Sequence, residues 1–311
     1  MPAKTSALLV TGMPRSATTW VGRVISSSPK VHFVNEPFNP NVHDGVTGQR
    51  IGFPDWFTRL DNGNAAQYEG RLDRVYASWW RPTAPRKQTK NRTALRSAMG
   101  FSARAAACKL RGGIPLYKDP IALLSADWLA KQYNLSVIVM MRHPLSFVGS
   151  MKRRQWAFDF NNFANQPAVV DGVLSDYADV IRQECDEPSS IVVRSALLWK
   201  MLMHAIKGYQ AKHTEWRFER AEDMAAEPLE RVTQVCDWLG LTLDDEIKKA
   251  VAEMAAKSNP TDVETGQHWW KRNVSEVGDL WKERLTQDEI KAIRDITEPE
   301  WRAFYDEDSW E

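Results

Sequence analysis

Short apolar segments recur along the chain, each followed by a polar turn, and most lead into a stretch with helical spacing of apolar residues. The segment LSVIVMM, residues 135–141, is apolar without interruption, which is typical of a central strand of a parallel sheet. The repeated order of strand, turn and helix favours an α/β protein with a mainly parallel sheet flanked by helices. The predicted strands cover residues 7–12, 31–34, 114–118, 135–141 and 216–219.

The spacing of apolar residues and the capping signals also predict eight helices. A helix opens at Thr18 and ends near Ser28, and Thr286 with Glu289 three residues later forms a capping box for a helix near the end of the chain. The other helices are predicted at 66–80, 91–109, 122–133, 144–154, 195–212 and 226–239.

The turn after the first strand offers a cradle for an anion. A small-residue turn between a strand and a helix presents backbone N–H groups and a positive helix terminus. In a nucleotide-triphosphatase loop of the form G-x-x-x-x-G-K-[ST], alignment on Gly12 would require a lysine at Thr18. The lysine is absent, and the cation of this turn is Arg15. The turn suits a sulfuryl group beside a phosphate better than Mg-ATP, although it could also be a plain connector.

Two other predicted strands carry polar side chains at their carboxyl ends, where parallel sheets form ligand crevices. Glu36 follows the second strand, as either a general base or a structural residue that caps a turn or pairs with an arginine. Arg142 follows the fourth strand and precedes a helix, so a second anion could lie there. His143 is more consistent with packing or capping than with a catalytic base.

Composition limits the remaining possibilities. The 311 residues include 41 Lys and Arg against 40 Asp and Glu, so no bulk charge attracts nucleic acid or an anionic membrane. Cys108, Cys185 and Cys236 stand far apart and in no metal spacing, as expected of reduced thiols in a cytoplasmic protein. The N-terminal apolar run is too short for a signal peptide or a membrane span. We predict a single domain over residues 1–311.

The segment Pro14, Arg15, Ser16, Ala17, Thr18, Thr19 and Trp20 resembles the phosphosulfate loop of sulfotransferases that use 3′-phosphoadenosine 5′-phosphosulfate (PAPS), and Ala17 stands where that family mostly has glycine. Because alanine disfavours positive φ, Ala17 is expected to be right-handed or the loop to be displaced. The resemblance continues through the Glu-Pro-Phe and Lys-Asp-Pro segments to Arg142 with Ser150, and to Lys271 and Arg272 in the loop GQHWWKRN.

This resemblance, closest to bacterial and carbohydrate-type members, implies a three-layer α/β sulfotransferase fold similar to that of P-loop NTPases. It implies PAPS as the donor, with the phosphosulfate loop, Arg142, Ser150, Lys271 and Arg272 as its binding residues and no metal. Glu36 would deprotonate a carbohydrate or small-molecule acceptor, while Arg15 stabilises the leaving phosphate. The acceptor would bind between variable insertions at about 39–110 and 155–190.

Two other classes stay open: a P-loop kinase, which would need the missing lysine, and a non-catalytic nucleotide-binding module, which would not depend on Glu36. The oligomeric state and any catalytic part for Lys118, His143 or His268 also stay open. In the first insertion, Phe53, Trp56 and Phe57 could form an acceptor pocket or an apolar cluster under the loop.

Overall fold

A five-stranded sheet, parallel throughout, forms the centre of the structure. The computed structural model describes residues 6–41, 50–81, 92–256 and 279–310. The strands are β1 (Leu8–Gly12), β2 (Val31–Asn35), β3 (Ile114–Lys118), β4 (Ser136–Met141) and β5 (Arg217–Arg220). Their order across the sheet is β2-β3-β1-β4-β5. The predicted parallel α/β fold is therefore confirmed.

Helices connect the strands. The α-helices of the described residues are α1 (Thr18–Ile25), α2 (Glu69–Tyr76), α3 (Arg92–Leu110), α4 (Ala126–Tyr133), α5 (Pro144–Arg153), α6 (Asn161–Ala164), α7 (Ala178–Asp186), α8 (Ile191–Lys212), α9 (Ala221–Ala226), α10 (Pro228–Leu239), α11 (Asp245–Met254) and α12 (Gln287–Thr297). Short 3-10 helices lie at Ala65–Tyr68, Pro120–Ser125, Ser175–Tyr177, Asp279–Trp281, Glu300–Ala303 and Asp308–Trp310, and a π-helical turn lies at Val169–Val173.

Each face of the sheet has its own apolar core, which makes the fold three-layered. Side chains alternate between the two faces of a strand, so Leu8 and Val10 of β1 pack in one cluster and Leu9 packs in the other. Val21 of α1 belongs to the first cluster, whereas Phe147 of α5 belongs to the second. The helices that follow β1 and β4 therefore cover opposite faces.

This arrangement creates a crevice between β1 and β4. The two strands are hydrogen-bonded neighbours, with Gly12 in register with Met140 at their carboxyl ends. Because the chain leaves β1 toward one face and β4 toward the other, the connections diverge at this edge. Open parallel sheets bind their ligands at such switch points. Arg15 and Arg142 follow these two strand ends.

Several helix boundaries differ from the predicted ones. The segment predicted as a helix from residue 122 begins as a 3-10 helix at Pro120, because the side chain of Asp119 accepts a hydrogen bond from the backbone N–H of Ile121. Helix α8 begins four residues before the predicted start, where the Ser190 side chain accepts from the N–H of Val193. The predicted capping box at Thr286 is present.

The two predicted insertions contact each other. Phe57 is fully buried, and its ring centroid lies 5.8 Å from that of Phe158 and 5.9 Å from that of Phe163. Asn162 accepts a hydrogen bond from the N–H of Trp56 at 2.8 Å. Phe53 is also buried in the main core. Sequence analysis left two interpretations of these aromatic residues, an acceptor pocket or an apolar cluster. Phe53 and Phe57 belong to an apolar cluster. The single domain over 1–311 stays a prediction.

Candidate active site

The turn between β1 and α1 is tightly wound. Gly12 has a φ of 126°, and a Cβ atom at this position would lie 2.1 Å from the carbonyl oxygen of Met140. Only glycine fits there. Arg15 and Ala17 have φ values of 66° and 63°, in the left-handed region. The expectation of a right-handed Ala17 is wrong: the turn requires the left-handed conformation although the residue carries a Cβ.

The turn, the end of β4 and helix α5 bring three predicted residues together. The Nε of Arg15 donates to the hydroxyl of Ser150 at 3.1 Å, and Nη1 of Arg142 donates to the carbonyl oxygen of Arg15 at 2.7 Å. Arg142 and Ser150 are 8% and 5% exposed. Two guanidinium groups and a hydroxyl, separated by up to 135 positions in the chain, thus form one cluster.

Buried groups behind this cluster hold it in place. The indole N–H of Trp199, on α8, donates to the carbonyl oxygen of Arg142 at 2.8 Å. The carboxylate of Glu222 accepts from the backbone N–H of His143 at 2.9 Å, and burial raises the pKa of Glu222. The peptide group between Arg142 and His143 is therefore held at both its C=O and its N–H, by side chains that sequence analysis did not single out.

His143 packs and caps, in agreement with its interpretation from sequence. Its Nδ1 accepts a hydrogen bond from the N–H of Leu145 at 3.3 Å, at the N-terminus of α5. The rings of Tyr305 and Trp310 lie edge-on to the imidazole at 4.9 and 5.0 Å. Burial lowers the pKa of His143 to about 3, so the ring is neutral near neutral pH.

Glu36 lies at the tip of β2 in an ion pair. Its Oε1 accepts from the ammonium of Lys118 at the tip of β3, and its Oε2 accepts from the side-chain amide of Asn39 at 2.6 Å. Glu36 itself has a φ of 46°, and its backbone N–H donates to the carbonyl oxygen of Lys118 at 2.8 Å. The structural interpretation of Glu36 predicted an ion pair with an arginine. An ion pair is present, but its cation is Lys118.

Asp119 stabilises the turn that contains Glu36 through hydrogen bonds to backbone N–H groups. It is fully buried, and its two carboxylate oxygens accept from the N–H groups of Phe38 at 2.7 Å and Ile121 at 3.1 Å. Burial, reinforced by the charge of Glu36, raises the pKa of Asp119 to about 8 despite these two hydrogen bonds. The Glu36 turn is thereby tied to the end of β3.

The remaining predicted residues have diverse surroundings. Ser16 and Thr18 are buried, and the hydroxyl of Ser16 donates to the carbonyl oxygen of Met13 within the turn. Trp20 belongs to α1 and packs in the apolar core with 5% exposure. Lys271 and Arg272, together with His268, lie outside the described residues.

Sequence analysis named the Lys-Asp-Pro segment and left the part played by Lys118 open, but it did not pair Lys118 with Glu36. Lys118 and Asp119 end a predicted strand on the same edge as Glu36, and this location could have indicated the contact. Gly22 of α1 packs against the stem of Lys118, where an added Cβ would lie 3.2 Å from the lysine Cβ and Cγ atoms. Asn39 and Trp199 carry no comparable sequence signal, because only tertiary contacts bring them here.

The donor set fits a nucleotide with two anionic groups. Arg15 and the turn around it lie at the N-terminus of α1, where one anion would be stabilised, and the second cation, Arg142, precedes α5. Within the described residues no group of three or more His, Cys, Asp or Glu side chains could hold a metal ion. The three cysteines are free thiols. No helix among these residues is long and apolar enough to cross a membrane.

Comparison with known proteins assigns the class. A model of the sulfotransferase family matches residues 7–245. The chain therefore belongs to the sulfotransferase family and is a sulfotransferase by class, which confirms the resemblance drawn from the phosphosulfate loop. No curated protein sequence matches this chain significantly.

Several solved sulfotransferase structures resemble this chain at low sequence identity. The sulfotransferase domain from the curacin biosynthetic pathway is 10% identical, with 94% of this chain and 98% of that chain covered and a TM-score of 0.49. Mouse sulfotransferase SULT7A1, solved with PAP, is 13% identical, with coverage of 98% and 86% and a TM-score of 0.46. A sulfotransferase from Alicyclobacillus acidocaldarius is 13% identical, with coverage of 99% and 99% and a TM-score of 0.45.

Proposed function

We propose that this sulfotransferase transfers a sulfuryl group from PAPS to a hydroxyl or amine of a carbohydrate or other small molecule. The observation that carries the proposal is the cluster of Arg15, Arg142 and Ser150 at the crevice between β1 and β4. Two guanidinium groups there suit the two anionic ends of a nucleotide that is phosphorylated at both the 3′ and 5′ positions.

In the proposed reaction, Glu36 accepts the proton of the acceptor group, whose oxygen or nitrogen attacks sulfur. The bond between sulfur and the bridging phosphate oxygen breaks, and adenosine 3′,5′-bisphosphate (PAP) leaves. Arg15 and the N–H groups at the start of α1 stabilise the charge that develops on the leaving phosphate. Lys118 stands at the tip of β3, which separates β2 from β1, and its ammonium pairs with the Glu36 carboxylate.

PAPS would lie along the crevice, and the acceptor would approach from the side of β2. The Glu36 turn adjoins the first insertion, since the ring of Phe38 lies 4.5 Å from that of Phe53. The first insertion thus borders the turn of the proposed base, and the second insertion contacts the first, which supports their assignment to the acceptor. We also propose that Lys271 and Arg272 contact the 3′-phosphate. A cytoplasmic location remains our prediction.

The testing experiment is calorimetric titration with PAP in EDTA, compared with Mg-ATP and with adenosine 5′-phosphate. We expect metal-free binding that needs both phosphates and falls at least tenfold in Arg142→Ala, since a charge-assisted contact is lost. Arg182→Ala, which removes an exposed arginine from α7, is the matched control. Preference for Mg-ATP would favour a kinase. Tight PAP binding with unaltered transfer activity in Glu36→Gln would exclude Glu36 as the base.

A further inference from the structure

Helix α3 lies in a region of one-sided charge. Residues 74–117 carry ten Lys and Arg residues and no Asp or Glu. The other residues carry 31 basic side chains against 40 acidic ones, so the near-neutral total conceals a local excess of positive charge. A block of like charge in an otherwise acidic chain raises the local positive potential.

The outward face of α3 combines these cations with exposed apolar side chains. Arg96, Arg104, Lys109 and the adjoining Arg111 are exposed, and none forms an ion pair with a carboxylate of the described residues. Met99 is 64% exposed and Leu110 is 89% exposed.

Helical geometry places the apolar residues in one stripe. Met99, exposed Ala103 and Leu110 follow each other at intervals of four and seven residues, which is the spacing of a single helix face. Met99 and Leu110 stand about 16 Å apart along the axis. The opposite face, which includes Ala105 and Cys108, is buried and packs with Trp79. The helix is thus anchored on one side and amphipathic on the other.

We propose that the outward face of α3, defined by Arg96, Met99, Ala103, Arg104, Lys109 and Leu110, docks the enzyme on an anionic lipid bilayer. Aliphatic side chains within a ring of long basic ones match the boundary between headgroups and acyl chains, because Arg and Lys reach outward while Met and Leu enter the apolar layer. This inference does not depend on the identity of the sulfuryl donor or acceptor.

Two other anionic partners fit the surface less well. A nucleic acid or a sulfated polysaccharide would neutralise the cations but offers little apolar surface to cover Leu110, the most exposed large apolar side chain of the described residues. A stable protein interface buries about 800 Å² on each partner and is enriched in aromatic anchors. The face of α3 presents two separated aliphatic side chains and no fully exposed aromatic ring.

The experiment measures flotation of the full chain with vesicles of phosphatidylglycerol or of phosphatidylcholine. We expect binding to the anionic vesicles alone, and weaker binding at about 0.5 M than at about 0.1 M salt because the charges are screened. Arg104→Gln, Lys109→Gln and Arg111→Gln combined should weaken binding by roughly fivefold for each charge removed. Met99→Ser with Leu110→Ser should weaken it severalfold at unchanged charge.

Matched controls lie on other helices. Leu229→Ser removes a 49% exposed leucine of α10, and Lys248→Gln with Lys249→Gln removes two exposed cations of α11. Both controls should bind vesicles as the unaltered chain does, and circular dichroism checks the folding of every variant. Equal binding to both vesicle types, or no effect of the Met99 and Leu110 changes, would overturn the proposal. Binding to heparin or DNA without vesicle binding would replace the bilayer with a polyanion.

Discussion

The ammonium of Lys118 and the carboxylate of Glu36 form an ion pair between the tips of adjacent parallel strands, with side-chain exposures of 2% and 18%. The lysine is buried and the carboxylate is partly open to solvent, so the pair presents its acidic member outward. Burial, together with the nearby charge of Glu36, raises the pKa of the adjoining Asp119 to about 8.

Replacement of the carboxylate tests the proposed base. Glu36→Gln keeps the size and the hydrogen-bonding reach of the side chain but cannot accept the proton. We expect transfer from PAPS to fall by roughly 10²- to 10⁴-fold while the dissociation constant for PAP stays within a few fold. Glu215→Gln, at an exposed acidic position before β5, is the control and should leave the rate unchanged. A matching loss of PAP affinity would mean that Glu36 shapes the nucleotide site instead.

Loss of the cation should destabilise the fold as well as slow the reaction. Lys118→Met preserves the buried stem but leaves Glu36 without its partner, and we expect a loss of about 2 kcal/mol in the free energy of unfolding. The loss is below that of a fully buried pair since Glu36 can turn toward water. Lys291→Met, which breaks the exposed pair with Asp295, should leave the free energy of unfolding nearly unchanged, since exposed ion pairs contribute little. Urea denaturation measures both, and equal costs would contradict the importance of burial.

The left-handed turn predicts a stabilising substitution. Ala17→Gly relieves the steric cost of a φ of 63°, about 1–2 kcal/mol, against a glycine entropy cost of about 0.5–1 kcal/mol. The net expectation is a gain of about 0.5 kcal/mol in unfolding free energy. The same change at Ala252, exposed within α11, should cost about 1 kcal/mol. Thermal denaturation shows whether each substitution raises or lowers stability. Destabilisation at both positions would show that the Cβ of Ala17 makes a favourable contact.

The buried His143 makes stability depend on pH. Its pKa is lowered from about 6.5 to about 3 by burial, so the unfolded chain binds a proton between these values that the folded chain does not. Stability is therefore complete above about pH 6.5 and decreases by roughly 1.4 kcal/mol for each pH unit below it, down to about pH 3. His143→Asn removes this titration and keeps a side chain that can cap α5. Chemical denaturation at several pH values should give a shallower slope for the variant, whereas parallel curves would contradict the assignment.

Sequence reasoning reached the strands because their determinants are local. Continuous apolar runs such as residues 135–141 and the capping box at Thr286 act within a few residues, and both are present as predicted. The phosphosulfate loop was also visible, since it is one contiguous segment. The conformation of Ala17 was not, because its left-handed φ belongs to a turn whose path is restricted by the contact of Gly12 with Met140.

By itself the amino-acid sequence determined the α/β class, the position of the candidate anion-binding turn and the candidate residues Glu36 and Arg142. Tertiary structure alone decided which partners these side chains have: Lys118 and Asn39 on Glu36, and Trp199 behind Arg142. The physical reason is the range of the interactions. Apolar periodicity and capping act along a few residues of chain, whereas ion pairs and buried hydrogen bonds join residues that only the order of strands in the sheet brings together.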